Sequence, residues 1–226
     1  LSYTDFEITG CALKAVSAEK IRVTATVRNT GNVSGKEVVQ VYASLPGGIL
    51  EKEAHRLAAY AKTNELKPGE AQEVTMEVKM DGLTSYDEKR AAWILESGFY
   101  GIWVGNSLAS AKLCGGIKLD QEVIRRQVRN LFPLKQELEE TSQEASKTAK
   151  RAAAAAQQAK EEELTVLNIR GADIATETVE YKKNADLYEK EAMDFVNTLS
   201  EEDLIDLAAG DPGKAQGLSL IHISEP

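Results

Sequence analysis

Residues 28–47, RNTGNVSGKEVVQVYASLPG, restrict the fold of this chain more than any other stretch. A strand ends at Arg28. Asn29-Thr30-Gly31-Asn32 turns the chain, and residues 36–44 return as a second strand. Asn and Gly accept the positive φ that such turns need. Two later pieces belong with it. Leu66-Lys67-Pro68-Gly69-Glu70 is a turn, and Ser85-Tyr86-Asp87 runs on to residues 93–107, WILESGFYGIWVGNS.

The segments between these turns read as strands. Ile21, Val23, Ala25 and Val27 alternate with Arg22, Thr24, Thr26 and Arg28, the period-two pattern of a strand with one buried and one wet face. Val74, Met76, Val78 and Met80 alternate with Thr75, Glu77 and Lys79 in the same way. Residues 38–43 are more continuously apolar, as in a central strand. From 99 to 104, Phe99 and Trp103 fall on one side and Tyr100 and Ile102 on the other. Turn signals separate the strands at Pro46-Gly47-Gly48, Pro68-Gly69 and Gly98. Short strands at regular spacing predict an antiparallel β-sandwich over residues 1–119. A domain of that size can bury a core of its own.

The pieces also come in a particular order. Asn29-Thr30-Gly31 is followed by Gly35 and Glu37-Val38-Val39-Gln40, then by Lys67-Pro68-Gly69-Glu70, then by Tyr100-Gly101-Ile102-Trp103-Val104-Gly105-Asn106-Ser107. In this order they resemble the fibronectin type III-like domain that accompanies the catalytic domains of family 3 glycoside hydrolases, the β-glucosidase family. The resemblance covers about half the chain and implies a mainly β, immunoglobulin-like sandwich followed by helical segments. Residues 191–211, EAMDFVNTLSEEDLIDLAAGD, resemble the helical lead-in to the family's (β/α)8-barrel catalytic domain, with Asp203 where Lys is commoner. A module placed before the barrel implies a member with permuted order: second α/β domain, module, barrel. Residues 186–217 would then begin the barrel, and the chain would be an interior piece of its parent. Its first residues, Leu1-Ser2-Tyr3, carry neither a start methionine nor a signal peptide, which fits that expectation.

The family's reaction is retaining hydrolysis of β-glycosides. It needs a nucleophilic carboxylate and a proton-donating carboxyl about 5–5.5 Å apart. The resemblance assigns the nucleophile to an Asp on the barrel and the acid/base to a Glu on the second domain. Neither motif occurs in these residues, so no catalytic, cofactor-binding or metal-binding residue is expected here. The implied partners are the parent's own catalytic domains, with a β-glycoside as the parent's substrate. The chain itself is expected to be an inactive, structural accessory domain. Two other classes remain open: a non-catalytic carbohydrate-binding or adhesion module, which would bind sugar through exposed aromatics, and a scaffold that self-associates through a helix.

Composition narrows the partners. The net charge of −9 argues against nucleic acid or an anionic membrane surface, and no apolar run reaches membrane-spanning length. The two cysteines, Cys11 and Cys114, stand at opposite ends of the predicted sandwich. They could tie its first and last strands, but unpatterned cysteines in such small number favour two reduced, partly buried thiols. The two histidines, His55 and His222, have no metal-type spacing. Residues 218–226, LSLIHISEP, match the translation of a transposase adapter used in DNA library preparation, and are expected to be an artefact together with His222.

Beyond Asp120 the character changes. Residues 120–135, with Arg125, Arg126 and Arg129 and with Leu131, Phe132 and Leu134 around Pro133, are expected to be a docking tail whose apolar residues pack on the sandwich and whose arginines stay solvated. Residues 136–185 are expected to be a linker. Its first part is rich in Ala, Glu, Gln and Lys, with the run Ala152 to Ala156. That run has high helix propensity but lacks the apolar seam of a coiled coil. Residues 164–181 are extended in character. From 186 to 210, Leu187, Tyr188, Ala192, Phe195, Val196 and Leu199 make one helical face, Ser200 to Asp203 form an N-cap signature, and Gly210 is a stop. Residues 120–217 are expected to pack poorly without the rest of the parent.

Several residues could carry chemistry. Asp87 and Glu88, or Glu96, could act as an acid/base pair, but carboxylates adjoining turns are expected to be solvated charges. His55 reads as a surface or half-buried ring. Trp93, Trp103, Tyr86 and Tyr100 could form a sugar-stacking platform, but period-two aromatics of a sandwich belong more often to core and rim.

Overall fold

A computed structural model describes residues 3–132, 145–179 and 184–209. The chain divides into two units, with the boundary after Val179. In the first, β1 (Phe6–Ser17), β2 (Lys20–Asn29) and β5 (Ala71–Lys79) form a three-stranded sheet with β2 at its centre. A five-stranded sheet runs in the order β11 (Thr165–Ile169), β9 (Lys112–Leu119), β8 (Gly98–Gly105), β3 (Val38–Ser44), β4 (Arg56–Lys62). A smaller sheet has the order β12 (Glu177–Thr178), β10 (Val123–Gln127), β7 (Ala92–Leu95), β6 (Ser85–Asp87).

The predicted alternation is the core pattern. Ile21, Val23, Ala25 and Val27 are completely buried, as is Val78, and Val74 and Met76 nearly so. They share one apolar cluster with Val39, Val41 and Ala43 of β3 and with Tyr100, Ile102 and Val104 of β8. Burying each large aliphatic side chain contributes about 1.5–3 kcal/mol, so this inter-sheet layer dominates the stability.

The turn after β2 is built differently from its expected form. Gly31 does not adopt positive φ. It is required because a Cβ there would lie 2.2 Å from Thr4 Oγ1 and 2.7 Å from the Asp5 nitrogen. Gly69, in the later turn, does take φ +79°.

The disulfide expectation is corrected. Cys11 of β1 and Cys114 of β9 are bonded, with Cα atoms 5.8 Å apart at a sequence separation of 103. The bond realises the alternative their placement had offered, a tie between the first and last strands of the predicted sandwich, which the fold brings together from different sheets.

The segment after residue 119 docks on the sandwich, as expected of residues 120–135, but through Val123 and not through Leu131 and Phe132, which are exposed, and up to Val179 it packs more closely than a linker would. β10 pairs with β7, and Arg125 is not solvated: it meets Glu19 at 3.6 Å and Asp81 at 3.2 Å. Helix α1 (Ala145–Glu161) lies on the outer face of β8 and β9. There Ala155 and Ala159 form a second small apolar cluster with Leu113, Phe99, Trp103 and Leu164. β11 then pairs in parallel with β9, and Ile169 and Ile174 enter the main cluster. Alanines suffice because the sheet supplies the bulk: Phe99 lies over Gly116, and Gly47 meets the helix backbone at Ala149.

In the second unit, α2 (Asn184–Val196) and α3 (Glu201–Ala209) are helical. The capping signature holds: the Ser200 and Asp203 side chains exchange hydrogen bonds with each other's backbone N–H at 3.1 and 3.2 Å. Met193, Phe195 and Ile205 are exposed. Gly210, His222, residues 136–144 and the 218–226 tail lie outside the described residues, as do the side chains of Leu187 and Tyr188.

The docking of α1 is testable. Ala155→Leu places a large side chain against Trp103 and Leu113, and should cost about 1–3 kcal/mol in urea unfolding through overpacking. Ala153→Leu, on the exposed face, should leave stability unchanged.

Candidate functional site

The four candidate aromatics do not form one platform. Tyr100 is buried in the core and donates its hydroxyl to the Glu96 carbonyl at 2.7 Å, and burial pushes its pKa up. Trp103 packs beneath α1 and donates its indole N–H to Ser44 Oγ at 3.0 Å. Tyr86 and Trp93 are cross-strand neighbours on β6 and β7, with ring centres 5.3 Å apart and planes tilted by 48°. Trp93 alone of the four is exposed.

The carboxylates are also dispersed by role. Asp87 is buried and accepts from the Lys89 and Arg90 backbone N–H groups at 2.9 and 3.1 Å, while its second oxygen takes the Arg90 guanidinium at 2.6 Å. The guanidinium, helped by the backbone donors, holds the Asp87 carboxyl below the usual range. Arg90 continues to Glu122 at 2.5 Å. Glu88 is exposed.

Glu96 differs most from its expectation as a solvated turn charge. It is buried, and its carboxylate organises the connection between β3 and β4. One oxygen accepts the Ile49 N–H at 2.6 Å; the other accepts the Leu50 N–H at 3.4 Å and the Lys52 ammonium. Lys52, likewise buried, also donates to the carbonyls of Pro46 at 3.1 Å and Leu50 at 3.2 Å. Gly48 lies directly on the carboxylate, where a Cβ would come within 2.2 Å of an oxygen. Gly98, at φ +133°, packs on Pro46. The result is a fixed loop that presents Ile49, 85% exposed, at its tip.

His55, at the end of this loop, is half-buried and meets Trp103 edge-on at 5.3 Å. Burial, then the charge of Arg151, lowers its pKa from 6.5. Among the described residues, no cluster of His, Cys, Asp and Glu could hold a metal ion, and no helix is long and apolar enough to cross a membrane.

Residues 37–108 match the family model of the fibronectin type III-like domain. The sandwich is such a domain, of the kind carried by family 3 β-glucosidases. Over 118 residues the chain is 43% identical to β-glucosidase A of Butyrivibrio fibrisolvens, which is 50% of this chain but 14% of that protein. β-Glucosidase 3B from Thermotoga neapolitana, solved with glucose, superposes with a TM-score of 0.50 at 38% identity, over 54% of this chain and 17% of that one. A GH3 β-glucosidase from Bifidobacterium adolescentis gives a TM-score of 0.51 at 28% identity, over 59% and 20% respectively. The chain thus spans a small part of the length of its relatives.

Sequence reasoning missed the Lys52–Glu96 pair of this fibronectin type III-like domain. The two residues are separated by 44 positions and sit on different connections, so no local pattern joins them. The one available hint was Gly47-Gly48 opposite Ser97-Gly98: two glycine turns that leave room for a carboxylate between them.

Glu96→Ala should destabilise the domain by about 3–5 kcal/mol in urea unfolding, because it strands a buried ammonium. The double variant Lys52→Met/Glu96→Leu should fall between that and the parent, since it removes the charge but leaves the Ile49 and Leu50 amides without their acceptor. A separate pH effect comes from His55. The unfolded chain protonates it more readily than the folded chain, so stability should fall as pH drops through about 6.5. His55→Gln should flatten that part of the stability profile, read by urea midpoints from pH 8 to pH 5.5.

Proposed function

We propose that the chain is part of a β-glucosidase-like glycoside hydrolase in which its sandwich is a structural accessory domain. The observation that carries this reading is the 43% identity, over 118 residues, to a β-glucosidase of which those residues form only 14%. The parent hydrolyses O-glycosyl bonds of β-glycosides with retention, using carboxyl groups on other domains. The partners of this domain are those catalytic domains within the same polypeptide.

The domain order is permuted. The sandwich precedes the barrel, and residues 186–217 begin it. The apolar residues that α2 and α3 leave exposed, among them Phe195 and Ile205, support this reading, because such faces need a larger body to cover them. No residue of this chain acts as nucleophile or acid/base. The occupied oxygens of Asp87 and Glu96 fit that assignment, since a catalytic carboxylate needs an oxygen free to meet substrate.

The pure chain should not hydrolyse an aryl β-glucoside above the buffer rate. Turnover that disappears on Glu96→Gln or Asp87→Asn would overturn the proposal. Saturable binding of β-glucosides by the pure chain, lost on Trp93→Ala, would instead favour a carbohydrate-binding module.

A further inference from the structure

The Cys11–Cys114 bond has an unusual setting. β1 belongs to the three-stranded sheet and β9 to the five-stranded one, and no strand ladder joins them. The disulfide therefore crosses between the two sheets, from the edge strand β1 to β9 just before the point where β9 begins to pair with β11. It does not reinforce an existing ladder. It also faces solvent: both cysteines line a groove of about 450 Å³ whose walls are Phe6–Cys11 on one side and residues from Val104 to Cys114 on the other. Cys11 is the more accessible of the two, half-buried where Cys114 is 8% exposed.

The backbone at Cys11 is also the least constrained part of β1. The β1–β2 register slips between Thr9 and Ala12, leaving Gly10 and Cys11 outside the paired positions, and Gly10 takes φ +61°. On either side of that bulge β1 remains paired with β2, from Phe6 opposite Asn29 to Ser17 opposite Lys20. Cys114 belongs to the main apolar cluster and Cys11 packs against it, but most of that cluster is the aliphatic layer between β2, β5, β3 and β8.

We infer that the disulfide is a redox-responsive clasp, reachable by a thiol reductant in the folded state, whose opening loosens β1 from β9 and widens the groove while the core stays folded. The chemistry is thiol–disulfide exchange. A reductant thiolate bonds to Cys11 Sγ and breaks the Sγ–Sγ bond, and Cys114 leaves as a thiolate that takes up a proton. A second thiol of the reductant attacks the mixed disulfide and releases Cys11. Two electrons pass to the protein, and the dithiol leaves as its own disulfide. A bond protected by burial would instead be reduced only when the whole domain unfolds.

The test uses the full chain in native buffer with dithiothreitol. Free thiols are trapped by iodoacetamide and counted by mass, while hydrogen exchange reports local opening. Both cysteines should become alkylated at a rate proportional to dithiothreitol concentration. Peptides covering 6–12 and 104–114 should then exchange about tenfold faster or more, with β2 and β3 unchanged. Cys11→Ser/Cys114→Ser should reproduce that local pattern without reductant. The proposal is overturned if reduction saturates at the global unfolding rate, if exchange rises uniformly, if the air-oxidised chain already carries two free thiols, or if the double variant does not fold.

Discussion

The side chain of Asn29 is the junction on which the turns of this domain depend. It is completely buried, yet its amide is saturated. Its oxygen accepts from Thr4 Oγ1 at 2.8 Å and from the Gly31 N–H at 3.0 Å; its nitrogen donates to the carbonyls of Val33 at 2.8 Å and Leu66 at 2.9 Å. The backbone of the same residue accepts the Gly69 N–H at 2.8 Å. One amide therefore fastens the entry to β1, the β2–β3 connection and the turn before β5. A buried amide with two donors and one acceptor oxygen is costly unless every position is filled. Each of the three segments is consequently held to a narrow geometry by the other two. The Asn-Thr-Gly and Lys-Pro-Gly-Glu pieces occur in one chain because they are two sides of one contact.

At the other side of the domain a charged pair plays the equivalent part. Lys52 reaches the carboxylate of Glu96 and the carbonyls of Pro46 and Leu50, so one ammonium closes the whole 46–52 loop. A buried ion pair contributes little net stability over a well-packed apolar replacement. Its effect is on shape: an apolar side chain at either position could not bind two backbone N–H groups and two carbonyls at once. The loop that results also supports α1, through Gly47 against Ala149 and Thr148 near the Lys52 carbonyl. The helix, the loop and the outer face of β8 thus form one continuous layer over Trp103.

The inner face of the sandwich was legible in the sequence, because period-two alternation in β2 and β5 encodes burial directly. So was the division of β8, with Tyr100 and Ile102 inward and Trp103 outward. The outer layer was not. α1 reads as a solvated linker because its contact residues are Ala152, Ala155 and Ala159, which carry no large apolar signal. The information lies on the receiving surface, where Phe99 and Trp103 provide volume and glycines provide depth. Complementarity between a smooth helix and a knobbed sheet is a property of two distant segments, and neither shows it alone. The same holds for Cys11 with Cys114 and for Lys52 with Glu96, which meet across 103 and 44 residues. The capping box at Ser200 was readable because both partners lie within one turn.

These arrangements bear on the role we propose for the domain. Catalysis by two carboxyl groups tolerates little misplacement, so the proposed accessory role calls for a rigid body. Rigidity here comes from groups that would otherwise look chemical. Asp87 is committed to Arg90 and two backbone amides, Glu96 to Lys52 and two others, and Tyr100 to the Glu96 carbonyl. Of the carboxylates that the sequence offered as reactants, Asp87 and Glu96 each fix a turn, while Glu88 stays exposed. The exposed features that remain, Ile49 on its clamped loop and Trp93 on the small sheet, are held in place by this polar framework. The positions from which the domain can touch its surroundings are thereby fixed before any contact is made, which lowers the ordering cost of that contact.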